Sequence, residues 1–339
     1  MSEAFLSRQP SVEDYWRSVI LFGRNVASYK FALAEALLEL KPQSGQLVKL
    51  SDLALPYAKS IARHLRVADK QGTFGSSQFL DACRRYNQEP DDNKLVEATV
   101  RLGFNNVIDA FHVVGQQALD RPFYVDERAK SSGIRITDEF SSLIAGSQAT
   151  NLPVEVESRW RLVETAWELG LSRGVVGVNH DGGEGTLFAV DKNLRRKSVT
   201  STRGALNGYQ KGFCFYCFAE ISLDGGDRAS DVDHFFPHVL KQVGFAGVDG
   251  IWNLVLSCKE CNRGAGGKFD RVPAGRLLAR LHRRNEFLIQ SHHPLRETLM
   301  LQTGVDESRR KRFLEDAHSS SRAALIHQWE PELRGSIRF

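Results

Sequence analysis

No stretch of this 339-residue chain approaches the roughly 18 consecutive apolar residues that a membrane helix needs, so no helical span is expected. The opening residues, MSEAFLSRQPSVEDYW, lack a basic segment followed by an apolar run. A secretory signal is therefore not expected, and a cytoplasmic location is the default reading. There is no internal repeat and no low-complexity run, which sets aside repeat architectures and disordered tracts. A recognisable helix-turn-helix or base-reading finger is also missing. Cysteine is scarce, with five residues, and net charge is small at +4. What remains is ordinary for a folded protein: 42% apolar and 25% charged residues, in a length that suits two domains or one large one.

The small net charge hides a local surplus. Residues 187–290 hold 16 Lys and Arg against 10 Asp and Glu. Such a surplus suits a phosphate-binding face as well as a solvated surface. The first half reads as helix. Ser11 stands three residues before Asp14, a capping-box pattern. Val12, Tyr15, Trp16, Val19, Ile20, Val26, Leu33 and Leu37 recur at three- and four-residue steps or their sums, as one buried helical face would. Further helices are expected near 51–66, 77–87, 92–117 and 153–171, with short strands at 122–126, 133–137 and 186–190. GVNHDGGEGT, residues 177–186, reads as a Gly-rich loop and a break between domains. The basic stretch beyond it looks like a helical lead-in to the first cysteine pair. A helix starts after Pro273, a residue suited to a first helical position. Another closes the chain near 306–328, and Gly304 suits the end of the segment before it. These elements predict a mainly α chain: a helical region over 1–180, a central module over 190–290 and C-terminal helices over 291–339 packed on that module.

Cys83 stands alone and reads as a small buried helix residue. The other four form two C-x-x-C pairs, Cys214/Cys217 and Cys258/Cys261. In a cytoplasmic chain a metal explains two such pairs better than disulfides do. Four thiolates complete a tetrahedral zinc site with no position open to water, so the ion expected here is structural. It would clamp the loop that holds VDHFFPH, residues 232–238.

Inside that clamp the order is C-x2-C, then D-H-x-x-P from Asp233 and His234, then N-L-x-x-x-C-x-x-C-N from Asn253 to Asn262, with Lys268 downstream. Over residues 205–275 this pattern resembles the HNH endonucleases of the His-Me finger superfamily. The resemblance implies a ββα-metal fold, a two-stranded hairpin followed by a helix. It implies His234 as the general base that activates water, Asp233 and Asn262 as ligands of a divalent ion, usually magnesium, and Asn253 as the residue that orients the His234 ring. Lys268 and Arg263 are candidate contacts to substrate phosphate. Arg276, Arg280, Arg283 and Arg284 recur along the helix after Pro273, as a stripe following a nucleic-acid backbone would. On a regular strand Asp233 and His234 point to opposite faces, so a shared site needs a bend there. Two departures from the family pattern stand out. The insertion LKQVGFAGVDGI lengthens the path from His234 to Asn253, and RGAGGK places three glycines where the motif helix would continue, predicting a short or broken helix.

The implied activity is metal-dependent hydrolysis of phosphodiester bonds in DNA, by nicking or cutting. Stand-alone bacterial HNH proteins with long helical arms resemble effectors of anti-phage defence, such as the nuclease component of Zorya-like systems, so other proteins of such a system are expected partners. A non-enzymatic zinc module that binds nucleic acid or a partner protein is the competing reading, and an RNase or toxin is a third. Water attack on phosphate serves DNA and RNA alike.

Overall fold

A computed structural model of the chain describes residues 10–22, 27–72, 76–114, 117–168, 178–181, 186–190, 196–223, 226–245, 247–290, 293 and 295–339. The chain is mainly α and divides into two compact units, 2–170 and 171–339. The C-terminal helices thus belong to the same unit as the cysteine segment. Among the described residues no helix is long and apolar enough to cross a membrane.

In the first unit α1 (Val12–Phe22) starts on the capping box read from the sequence: the Asp14 N–H donates to Ser11 Oγ at 3.3 Å and the Ser11 N–H to Asp14 Oδ2 at 3.2 Å. The helices α2 (Tyr29–Leu40), α3 (Leu50–Leu65), α4 (Gln78–Gln88), α5 (Asp92–Leu102), α6 (Asp138–Ala145) and α7 (Leu152–Glu168) follow. The strands β1 (Leu47–Lys49), β2 (Tyr124–Asp126) and β3 (Gly133–Ile136) form an antiparallel sheet in the order β1-β3-β2. Trp16, Phe31, Tyr57, Phe123, Phe140 and Trp160 meet in one buried core, and Cys83 is fully buried in α4. The helix expected over 92–117 stops at Leu102. Gly103, Asn105 and Asn106 follow, residues that favour turns over helix. Beyond them lie a single turn at Val107–Ala110 and a two-residue antiparallel pairing of Val113–Val114 with Gln117–Ala118.

The second unit opens with an antiparallel sheet in the order β4 (Val178–Asp181), β5 (Thr186–Val190) and β6 (Arg196–Ser201). Part of the expected loop over 177–186 is therefore strand. The basic lead-in is half strand too, because its Lys197-Ser198-Val199-Thr200-Ser201 stretch carries β-branched residues that fit a pleat. Among its described residues only α8 (Thr202–Gln210) is helical. Next come β7 (Ser230–His234), β8 (Leu254–Cys258) and α9 (Lys259–Arg263). The remainder comprises β9 (Val272–Pro273), α10 (Gly275–Gln290), α11 (Arg296–Thr303), α12 (Glu307–Ala324) and β10 (Gln328–Trp329), with β9 and β10 paired in parallel. Pro273 accordingly precedes the helix rather than opening it. Gly304 does follow α11 directly.

β7 and β8 are antiparallel, with His234 opposite Leu254, Asp233 opposite Val255 and Asp231 opposite Ser257. β8 is buried throughout, as the run Leu254-Val255-Leu256 would require. The helix that follows is short. Gly264 ends it, and Cβ atoms at Gly264 and Gly267 would stand 2.6 Å from Glu260 Cα and 2.8 Å from Glu260 O. The glycines let the chain fold back against α9 at a distance no side chain allows. The Lys268 N–H then reaches Cys261 O at 2.7 Å, and the Phe269 N–H reaches Asn262 O at 3.0 Å.

Candidate metal centre and adjoining polar site

The two cysteine pairs meet. Cys214, Cys217, Cys258 and Cys261 are buried, and their sulfurs all lie within 4.8 Å of one another. The Sγ atoms of Cys217 and Cys258 are 3.7 Å apart. Four sulfurs at about 2.3 Å from a zinc ion define tetrahedron edges of about 3.8 Å, so the cluster has the dimensions and the donor chemistry to hold zinc. Hydrogen bonds from Cys214 and its neighbours hold the Cys217 thiol far below its ordinary range and bring Cys258 down to about 6. Burial pushes Cys214 up, and bonds to Cys214 and the other thiols push Cys261 up.

Local bonds fix each sulfur pair. The turn at Cys214–Cys217 is closed by the Cys214 N–H on Ala219 O at 2.8 Å and the Phe218 N–H on Cys214 O at 3.1 Å. Buried Gln210 ties this turn to β8: its amide nitrogen donates to Phe213 O at 3.0 Å and Leu256 O at 2.8 Å, and its oxygen accepts the Leu256 N–H at 2.8 Å. Cys258 ends β8 and Cys261 lies in α9, so one strand-to-helix corner supplies the second pair.

The polar residues of β7 sort into separate groups. Asp231 and Asp233 share one face, two residues apart and roughly 7 Å along a strand. Asn262 donates from Nδ2 to Asp231 Oδ2 at 3.0 Å, and Arg263 Nε also lies 3.0 Å from that oxygen. Asp233 is buried. Its Oδ2 accepts the Tyr216 hydroxyl at 2.6 Å, and its Oδ1 is 3.3 Å from Lys268 Nζ. Burial raises the Asp233 pKa, against the pull of Lys268 and Tyr216. His234 ends the strand, and its Nε2 is 3.2 Å from Asp249 Oδ1. His238 Nε2 lies 3.4 Å from the same oxygen, and Lys241 Nζ 2.8 Å from Oδ2. Burial raises the Asp249 pKa, but Lys241 and the two histidines outweigh it and hold this carboxyl below its ordinary value.

Asn253 is fully buried and braces the connection between the strands. Its Oδ1 accepts the Phe236 N–H at 2.8 Å, and its Nδ2 donates to Phe236 O at 3.0 Å and Val248 O at 2.8 Å. The amide thus holds the backbone two residues beyond His234, while the contact to the ring comes from Asp249. Sequence reading missed Asp231, Asp249 and Tyr216. The i, i+2 spacing of Asp231 and Asp233 could have flagged the first. Asp249 lies in the insertion that lengthens the loop, where nothing local marks it.

Two expected phosphate contacts are engaged otherwise. Lys268 is 1% exposed and pairs with Asp233, because the glycine-rich turn returns it to the hairpin. Arg263 is exposed but pairs with Asp231. Two arginines of the α10 stripe are structural. Arg284 is buried, with Nη2 donating to Trp252 O at 3.1 Å and Leu254 O at 2.9 Å. Arg280 donates to the carbonyls of Phe215 and Tyr216 and lies over the Phe218 ring, 4.2 Å from its centroid. Arg276 pairs with Glu330. Arg280 and Arg284 thus serve carbonyls of the cysteine turn and the β8 approach, whereas Arg276 and Arg283 are exposed. Comparison with models of known families, with curated proteins and with solved structures finds no match to this chain.

Proposed function

We propose that residues 205–275 form an HNH-type module that hydrolyses phosphodiester bonds in DNA with the help of a divalent ion. The observation that carries this reading is the succession β7–β8–α9 over a four-cysteine cluster. Asp233 and His234 end the first strand, Asn253 closes the neck of the connection, and Asn262 lies in the short helix. Carboxylate and amide oxygens are the hard donors that magnesium selects: Asp231 and Asn262 are in contact, and Asp233, on the same strand face, would join them by exchanging Lys268 for the ion. When bound, that ion would neutralise charge developing on the phosphate and the leaving oxygen. Lys268 is the cation facing Asp233 until then.

The chain's own residues account for the proton. With Nε2–H donated to Asp249, the basic nitrogen of that His234 tautomer is Nδ1, which takes a proton from the attacking water. Asp249 fixes the ring and stabilises the imidazolium that results, as a carboxylate behind a catalytic histidine does elsewhere. Asn253 holds the turn from which the ring projects. Partnership with other proteins of an anti-phage defence system is part of the same proposal. It rests on the sequence resemblance, with the helical unit 2–170 as the docking module.

The test is plasmid cleavage by the zinc-loaded chain with magnesium, against His234→Ala and Asn262→Ala. Wild type is expected to yield nicked or linear product, and the variants to lose at least about a hundredfold in rate. Failure of the zinc-loaded wild type to cut DNA with any divalent ion sinks the reading. One observation favours a second reading, a zinc module that binds nucleic acid or protein without cutting: Asp233 already has a buried counter-cation. In that case His234→Ala leaves binding intact and no variant changes a cleavage rate. Parallel assays on RNA separate the third possibility, an RNase.

A further inference from the structure

A second cluster of ligating groups lies in the unit 2–170, independent of the hairpin site. Glu35 of α2, His64 of α3 and Glu157 of α7 bring a ring nitrogen and two carboxylate oxygens within 4.8 Å of one another. His64 is fully buried and lies flat on Trp160, with centroids 3.5 Å apart and 3° between the planes. Its Nδ1 is 2.7 Å from Glu164 Oε1, an oxygen also held by Gln71 Nε2 at 2.5 Å. Trp160 Nε1 in turn donates to Gln71 Oε1 at 3.0 Å. The ring can neither tilt nor turn, and its Nε2 is aimed at Glu157 Oε2, 2.9 Å away. A carboxylate behind one imidazole nitrogen, with the other nitrogen presented to further carboxylates, is the arrangement that fixes a metal-ligating histidine.

The charges are consistent with this. His64 Nε2 and Glu157 Oε2 face each other at 2.9 Å. Arg63 supplies a positive charge, with Nη2 2.8 Å from Glu35 and 3.4 Å from Glu157 on a side chain that is 55% exposed. Arg161 supplies another, pairing with Glu157 and Glu164. The exposed Arg63 head thus faces both proposed carboxylate ligands, and its withdrawal to solvent would leave their oxygens open to a cation.

We propose that Glu35, His64 and Glu157 form a divalent transition-metal site, with Glu164 orienting His64 and Arg63 holding the place of the ion in its absence. One imidazole and two carboxylates suit zinc or manganese. The test is the number of zinc equivalents bound by the full chain, measured by elemental analysis after equilibration and gel filtration. Wild type is compared with Glu35→Gln, Glu157→Gln and Arg63→Ala, each checked for retained helicity. Each Gln variant is expected to bind one equivalent fewer than wild type, and Arg63→Ala to bind the same number with the second equivalent several-fold tighter. An unchanged count in both Gln variants overturns the site, as does unchanged or weaker binding in Arg63→Ala. His64 and its partners lie outside the cysteine cluster and the hairpin, so the outcome is independent of whether the chain cuts DNA.

Discussion

If the cysteine cluster holds zinc, stripping that ion tests the physical basis of the second unit. Cys217 and Cys258 are 41 positions apart and their sulfurs nearly touch. Cross-linking a loop of that length removes unfolded-state entropy worth about 4 kcal/mol at room temperature in the chain-entropy model. Zinc–thiolate bonding would add to this, since structural zinc contributes on the order of 10 kcal/mol or more in small metal-dependent folds. Whole domains are stable by only about 5–15 kcal/mol. Removal of zinc is therefore expected to unfold the hairpin region outright. The Phe215 N–H on Leu256 O at 2.9 Å and the Gln210 bridge to β8 depend directly on the cysteine turn, so β8 should lose protection with it. The assay is residue-resolved hydrogen exchange before and after chelation. Protection at 213–218, 230–234 and 254–261 is expected to collapse. That of α2 and α3, which pack in a core of residues from the first unit alone, is expected to persist. A purified chain that carries no zinc, or a chelated chain that keeps protection at 254–258, refutes the reasoning.

Three further outcomes are expected. Asn253→Ala removes three hydrogen bonds and leaves a buried Phe236 N–H without its acceptor, which should cost about 2–4 kcal/mol in denaturant unfolding of the second unit. Lys268→Gln takes the ammonium from Asp233; if Asp233 is an ion ligand, the magnesium concentration for half-maximal cleavage should fall, whereas a purely structural pair would leave it unchanged or abolish folding. His112 accepts the Phe123 N–H on Nε2 at 3.0 Å, and burial lowers its pKa to about 4. An unfolded histidine titrates near 6.5, so the unfolded chain binds the extra proton first as pH falls. Stability of the first unit is then full above about pH 6.5 and declines toward pH 4, by roughly 3 kcal/mol in all; acid titration of His112→Gln should be flatter over that window.

Much of the scaffold was legible because it is written in short-range patterns. The capping box at Ser11 and Asp14, the apolar spacing of α1 and α2, and the two C-x-x-C pairs each depend on residues a few positions apart. Such patterns specify an amphipathic helix or a metal-ligating turn before any tertiary contact forms. The helix expected over 92–117 failed where Gly103 and the asparagines after it outweighed the apolar period. The strand at 178–181 was hidden because three short strands stabilise one another only when paired, and pairing is not a local property.

From the amino-acid order alone came the mainly helical character, the four-sulfur cluster and the succession Asp233-His234, Asn253, Asn262. Only the tertiary structure decided which partner each of those side chains takes. Lys268 turns inward to Asp233 because glycines let the chain double back on α9. Asp249 reaches His234 because a long insertion closes on the neck that Asn253 braces. Glu35, His64 and Glu157 meet because three helices from distant parts of the chain bury one aromatic face. Hydrogen bonds and ion pairs act over a few ångströms, and residues 15 to 93 positions apart come within that range only once the chain has closed its core.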